Sequence, residues 1–190
     1  METTETDVTT AYAQADERLR AVLAEVPDWS AASPCEGWEA RDVVAHLVET
    51  QRQFLGSHLD LGDDGGVADG EGAPLTDPAA AWAAHADRVR EALAEPSFAA
   101  TTYDGFFGPT TVGETLLTFY VFDMVAHRWD VARAAGIEAP FSDAELDLLE
   151  RSTAVMGESI RMEGICGPAV EVAAGADRAT RVLGYLGRRA

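Results

Sequence analysis

The stretch that decides how this chain folds is Thr111-Val-Gly-Glu-Thr-Leu-Leu-Thr-Phe-Tyr-Val-Phe-Asp-Met-Val-Ala-His-Arg-Trp-Asp-Val-Ala-Arg-Ala-Ala-Gly136. It opens on Thr111-x-x-Glu114, a capping-box pattern, and closes on Gly136, the residue type suited to the position just past a helix end. Between these signals residues 116–131 are apolar nearly all round, which predicts a central, buried helix. Asp123-Met-Val-Ala-His127 lies inside it, and the same Asp-x-Val-Ala-His pentapeptide occurs at Asp42-Val-Val-Ala-His46. On a helix, residues four apart differ by about 40° around the axis, so each acid shares a face with its His. An unpaired carboxylate in so apolar a run would cost several kcal/mol. Something must compensate Asp123.

Working outward, the spacing predicts further helices. Residues 8–26 place Tyr12, Ala15, Leu19, Val22 and Val26 on one face and stop at Pro27. A second helix covers residues 39–58, with Asp42 in its first turn, where a carboxylate favours the helix dipole. A third opens on Asp77-Pro78, an N-cap followed by Pro at the first helical position, and buries Trp82, Ala86, Val89 and Leu93. Ser142-x-x-Glu145 caps a fifth helix with Leu146, Leu149, Thr153, Met156 and Ile160 on one face. Residues 96–109 read as a turn or short hairpin, and residues 164–190 as an extended piece followed by a short helix from Asp177. Strands and helices do not alternate. The expectation is one all-α domain over residues 1–190: an up-down four-helix bundle with an additional fifth helix and a short C-terminal tail.

Composition narrows the function. The 190 residues carry a formal charge of -19, and all 14 basic residues are Arg. Such a field repels nucleic-acid phosphate and does not favour anionic membranes. No apolar run approaches the roughly 18 residues of a membrane span, and Met1-Glu-Thr-Thr-Glu-Thr-Asp lacks the basic and apolar parts of a signal peptide. A cytoplasmic location is expected. Cys35 and Cys166 are too few for a disulfide scaffold or a Cys-based zinc site, so both are expected to be free thiols.

Catalytic zinc sites commonly have three protein ligands and an open position. His46, Asp123 and His127 supply that number, on two helices that a bundle would bring face to face. From spacing alone the rival reading is a pair of core His residues hydrogen-bonded to acids. Asp42 suits a helix cap or a hydrogen bond to His46. His58 and His85 lack a partner pattern and read as surface residues. Trp38 and Trp129 are expected to pack near the rim of the site or to line a pocket. Asp60-x-Gly62-x-Asp64-Gly65 with Glu71 partly imitates a calcium loop, but Gly stands at its third position, and a solvated loop is the better reading.

The stretch Ser33-Pro-Cys-Glu-Gly-Trp-Glu-Ala-Arg-Asp-Val-Val-Ala-His-Leu resembles the start of the second helix in the DinB-like superfamily, most closely its mycothiol-dependent maleylpyruvate isomerase N-terminal branch. The run Thr111-Val-Gly-Glu-Thr-Leu-Leu, with Asp123-Met-Val-Ala-His127-Arg-Trp129-Asp130, is similar to that branch's metal-binding helix. The resemblance implies that His46 is the first metal ligand and His127 the last. Asp123 falls where the isomerases carry Glu, one methylene longer, so a bridging water is an alternative to a direct bond. Asp42 and Asp130 become candidates to hydrogen-bond the ligands from behind.

By the same resemblance the cofactor is a divalent metal, zinc being expected, with mycothiol as cosubstrate. The partners are a small-molecule thiol and an electrophilic substrate, with neither nucleic acid nor membrane, and a homodimer is left open. The implied function is a mycothiol-dependent transferase or isomerase. Its rival is a metal-binding or ligand-sequestering bundle without turnover. The family's isomerases carry an additional C-terminal domain that this chain is not expected to hold, which argues against maleylpyruvate isomerisation itself.

Overall fold

The computed structural model describes residues 7–59, 75–162 and 164–189, and the calcium-like stretch from Asp60 to Glu71 lies outside them. Contacts divide the chain into two compact units, Met1–Glu138 and Ala139–Ala190. Both are mostly helical.

The first unit begins with α1, Val8–Leu23, whose N-cap Asp7 accepts the Thr10 N–H. α2, Ala40–Gly56, ends two residues before the expected His58. In α3, Pro78–Leu93, Asp77 caps the helix through the Ala80 N–H and Pro78 opens it. A short α4, Pro96–Ala99, leads into a hairpin of β1, Thr102–Gly105, and antiparallel β2, Gly108–Thr111, in which Gly105 pairs with Gly108 around Phe106-Phe107. The turn needs glycine at 108, where φ is 107°.

The decisive stretch is not one continuous α-helix. It is α5, Val112–Thr115, then a π-helical segment, Leu116–Val121, then α6, Phe122–Ala135. Its ends match expectation: Thr111 and Glu114 form the capping box, and Gly136 takes the left-handed conformation. A π turn hydrogen-bonds i to i+5 and so rotates the side chains that follow it relative to a continuous α-helix. A run apolar on all sides gives no periodic signal from which this could be read.

α1 packs on α3 and α6, and α2 packs on the same two helices. Tyr12, Leu19, Val43, Leu47, Trp82, Leu116 and Met124 are fully buried between them. Burial of such side chains contributes about 1.5–3 kcal/mol each for the aliphatic ones. Two buried polar knots cross this core. Asp16 is fully buried; it accepts hydrogen bonds from Trp82 Nε1 at 2.9 Å and Arg20 Nε at 2.8 Å, and lies 3.5 Å from Arg90. The Gln51 side-chain oxygen accepts from the Tyr12 hydroxyl at 2.9 Å and faces His85 Nε2 at 3.1 Å. His85, expected at the surface, is therefore a core residue. Its place opposite Gln51 depends on how α2 meets α3, which no local pattern encodes.

In the second unit Ser142 and Glu145 cap α7, Asp143–Met156, as expected. The helix breaks at Gly157, where φ is 52°, and a 3-10 turn, Gly157–Arg161, carries the buried Ile160. The Arg161 guanidinium donates to the carbonyls of Gly167 and Tyr185. That ties the extended piece to α8, Arg178–Tyr185, which Asp177 caps and which packs on α7.

Candidate metal centre

α2 and α6 each offer one face to this site. Asp42, in the first turn of α2, accepts the backbone N–H of Glu39 at 2.8 Å. Its carboxylate is thus engaged in capping, one of the two roles its position suggested. One turn further on, His46 is half-buried, and its carbonyl accepts from the Thr50 hydroxyl at 2.8 Å. On α6, Asp123 is half-buried and His127 is buried. Asp123, His127 and Asp130 step along the helix at spacings of four and three.

The packing of α2 against α6 brings His46, Asp123 and His127 together, with one donor atom from each lying within 4.8 Å of the others. His46 Nε2 is 3.9 Å from Asp123 Oδ2, and the two imidazole centroids are 5.2 Å apart. At zinc bond lengths, donors around one tetrahedral ion lie roughly 3.3 Å apart, so modest side-chain adjustment would close the set. His127 Nδ1 is 2.8 Å from Oδ2 of the fully buried Asp130. That contact leaves Nε2 as the nitrogen available to an ion, with the carboxylate orienting the ring from behind. Two imidazoles and a carboxylate form a donor set that could hold zinc or a similar divalent ion.

The two imidazoles are electrically unlike. Burial, helped by the neighbouring His127, pulls the His46 pKa down to about 4, so its lone pair is free at neutral pH. Burial also acts to lower His127. Hydrogen bonding to Asp130 and Cys35 and the charges of Asp130 and Asp123 outweigh it and push His127 up to about 10.

A tightly wound loop covers the pair. Ser33 N–H donates to the Trp38 carbonyl at 2.8 Å and Trp38 N–H to the Cys35 carbonyl at 3.0 Å, while an isolated bridge joins Ala32 and Glu39. The Trp38 ring lies 5.0 Å from the His46 ring and stacks at 6.3 Å on that of His127. Trp129 is half-buried on α6; two residues on from His127, about 200° around the axis, it occupies a different helix face.

A family model described as the mycothiol maleylpyruvate isomerase N-terminal domain matches residues 12–132. The chain belongs to this DinB-like family. The match takes in His46, Asp123, His127 and Asp130, and it ends inside α6. Neither curated proteins nor solved structures gave a match.

Two features of this mycothiol-isomerase-type domain escape sequence reasoning. Cys35 Sγ sits 3.5 Å from Asp130 Oδ2 and 3.9 Å from His127 Nδ1, forming a second donor cluster that shares His127. The only hint in the sequence is its place inside the Ser33–Trp38 motif. The second is a ring cluster beyond Asp123. Tyr120 stacks on Phe54 at 5.0 Å, and Tyr103 and His58 close on Phe54 at 5.9 and 5.0 Å. Phe54 lies on α2 two turns after His46, and His58 follows just past the helix end. His58, expected at the surface, is half-buried among them. Burial first, then the charge of Asp123, raises the Tyr120 pKa well above the ordinary phenol value.

Proposed function

We propose that this protein is a metal-dependent enzyme of the mycothiol-dependent transferase or isomerase type, with zinc held by His46, Asp123 and His127. The observation that carries the reading is the convergence of those three donors in a domain of a mycothiol-linked family, with Asp130 fixed on the far nitrogen of His127. We place the site in an up-down four-helix bundle of the DinB-like kind. When bound, the ion would supply the Lewis acidity that keeps a low-molecular-weight thiol as its nucleophilic thiolate at neutral pH.

The chain's own residues do the rest. His46 presents a neutral nitrogen, and Asp123 lowers the net charge of the centre. Trp38 shields the two imidazoles from water. Tyr120, which keeps its phenolic proton at neutral pH, would donate a hydrogen bond to the oxygen of an electrophile. The electrophile is an unsaturated or epoxide compound. Maleylpyruvate isomerisation itself is not part of the proposal. The formal charge of -19 argues against nucleic-acid or membrane partners. Among the described residues no helix is long and apolar enough to cross a membrane, and a cytoplasmic location suits a thiol cosubstrate.

Cobalt substitution tests this. The Co²⁺ protein should show thiolate-to-metal charge transfer that saturates with added mycothiol or a similar thiol and vanishes in His127→Ala. A spectrum indifferent to small thiols, at full metal content, would favour a metal-binding protein without turnover. Absence of metal from the wild type would defeat both.

A further inference from the structure

Cys35 lies at the Nδ1 edge of His127, beside the nitrogen already occupied by Asp130. A sulfur at that edge is on the wrong side of the ring to share an ion bound at Nε2. What it does reach is Asp130 Oδ2, at 3.5 Å, the same oxygen that His127 meets at 2.8 Å. Asp130 is fully buried, and a carboxylate in that position requires donors to offset its desolvation. A thiol is a weak donor, yet its direction here is set by the backbone. Cys35 N–H donates to Ser33 Oγ at 3.1 Å, the Ser33 hydroxyl donates back to the Cys35 carbonyl at 3.3 Å, and Trp38 N–H donates to the same carbonyl. One loop therefore grips His127 twice, with Trp38 on the ring face and Cys35 at the ring edge through Asp130.

We propose that Cys35 is a positioning residue. Its S–H, donated to Asp130 Oδ2, holds that carboxylate facing His127 Nδ1, orients the ring so that Nε2 faces the ion site, and thereby sets the affinity of the His46–Asp123–His127 group for a divalent ion. This rests on the metal reading above. Without the S–H, Asp130 Oδ2 loses one of the donors that hold it against the ring.

The test compares Cys35→Val, which fills the volume without a donor, with Cys35→Ser, which keeps an O–H donor, in the full chain. Zn²⁺ affinity is measured by chelator competition. The His127 Nδ1–H···Asp130 hydrogen bond is read from the Nδ1–H resonance and its exchange with solvent in ¹⁵N–¹H spectra, tractable with 4 His in the chain. Cys35→Val should weaken Zn²⁺ by about tenfold, the low end for outer partners of a metal ligand, and should speed exchange of the His127 Nδ1–H. Cys35→Ser should stay within about threefold of wild type and keep the wild-type Nδ1–H exchange. Wild-type Zn²⁺ binding with Cys35→Val unchanged in both readouts would overturn this inference alone. Equal weakening in both variants, with the Nδ1–H exchange unchanged, would reduce Cys35 to packing and overturn it too. A wild type that takes up no Zn²⁺ would defeat the metal reading itself.

Discussion

Raising the pH should loosen the metal-free fold and tighten its grip on a divalent ion across one window, because a proton and the ion compete for His127. The folded-state pKa of His127 is about 10, against an ordinary 6.5. A raised pKa contributes stability that is fully present below 6.5 and is lost as the pH climbs towards 10. At about 1.4 kcal/mol per unit, the whole window is worth roughly 5 kcal/mol. Metal affinity runs the other way, gaining about tenfold per pH unit over the same range as the competing proton leaves. His46 adds nothing there, being already neutral with a pKa of about 4. Its depressed value gives the opposite slope, with stability lost as the pH falls from 6.5 towards 4.

Urea titrations of chelator-treated protein at several pH values read the first slope. Calorimetry of Zn²⁺ binding in buffers of different ionisation enthalpy reads the second, and about one proton should be released per ion at neutral pH. Asp130→Asn removes the main group that raises His127, so burial then dominates and both slopes should flatten. If Asp130→Asn keeps the wild-type slopes, or the wild type releases no proton on binding Zn²⁺, the electrostatic account of His127 is wrong.

Three further outcomes are expected. Asp123→Glu should retain the ion and Asp123→Leu should weaken it by more than about tenfold while folding normally, as elemental analysis and chelator competition would show; unchanged affinity in Asp123→Leu would remove Asp123 from the donor set. Asp16→Ala strips the buried acceptor from Trp82 Nε1, Arg20 and Arg90. It should cost about 3 kcal/mol in urea unfolding, whereas a loss below about 1 kcal/mol would show that the knot is solvated. In Gly184→Ala the new Cβ would stand 2.6 Å from Val172 Cγ1 and 3.0 Å from the Val170 carbonyl. That crowding should cost about 1–3 kcal/mol and speed proteolysis within residues 166–176; wild-type cleavage rates would refute the close approach.

Much of this protein is written in short-range chemistry. Asp77 before Pro78, Thr111 with Glu114, Ser142 with Glu145 and the left-handed Gly136 mark helix ends because a cap involves groups only a few residues apart. The stripe of Trp82, Ala86, Val89 and Leu93 is buried as its spacing required. Asp123 and His127 share a face for the same reason, since four residues bring a helix almost back to the same side. Other features arise only when helices meet. The π segment replaced a plain α-helix inside a run whose uniform apolarity hides any change of register. His85 is buried because α2 sets Gln51 opposite it. Cys35 stands 92 residues from His127 and 95 from Asp130 along the chain. Spacing rules reach one or two turns, so the triangle of these three residues was decided by the packing of α2 on α6 and by the winding of one loop.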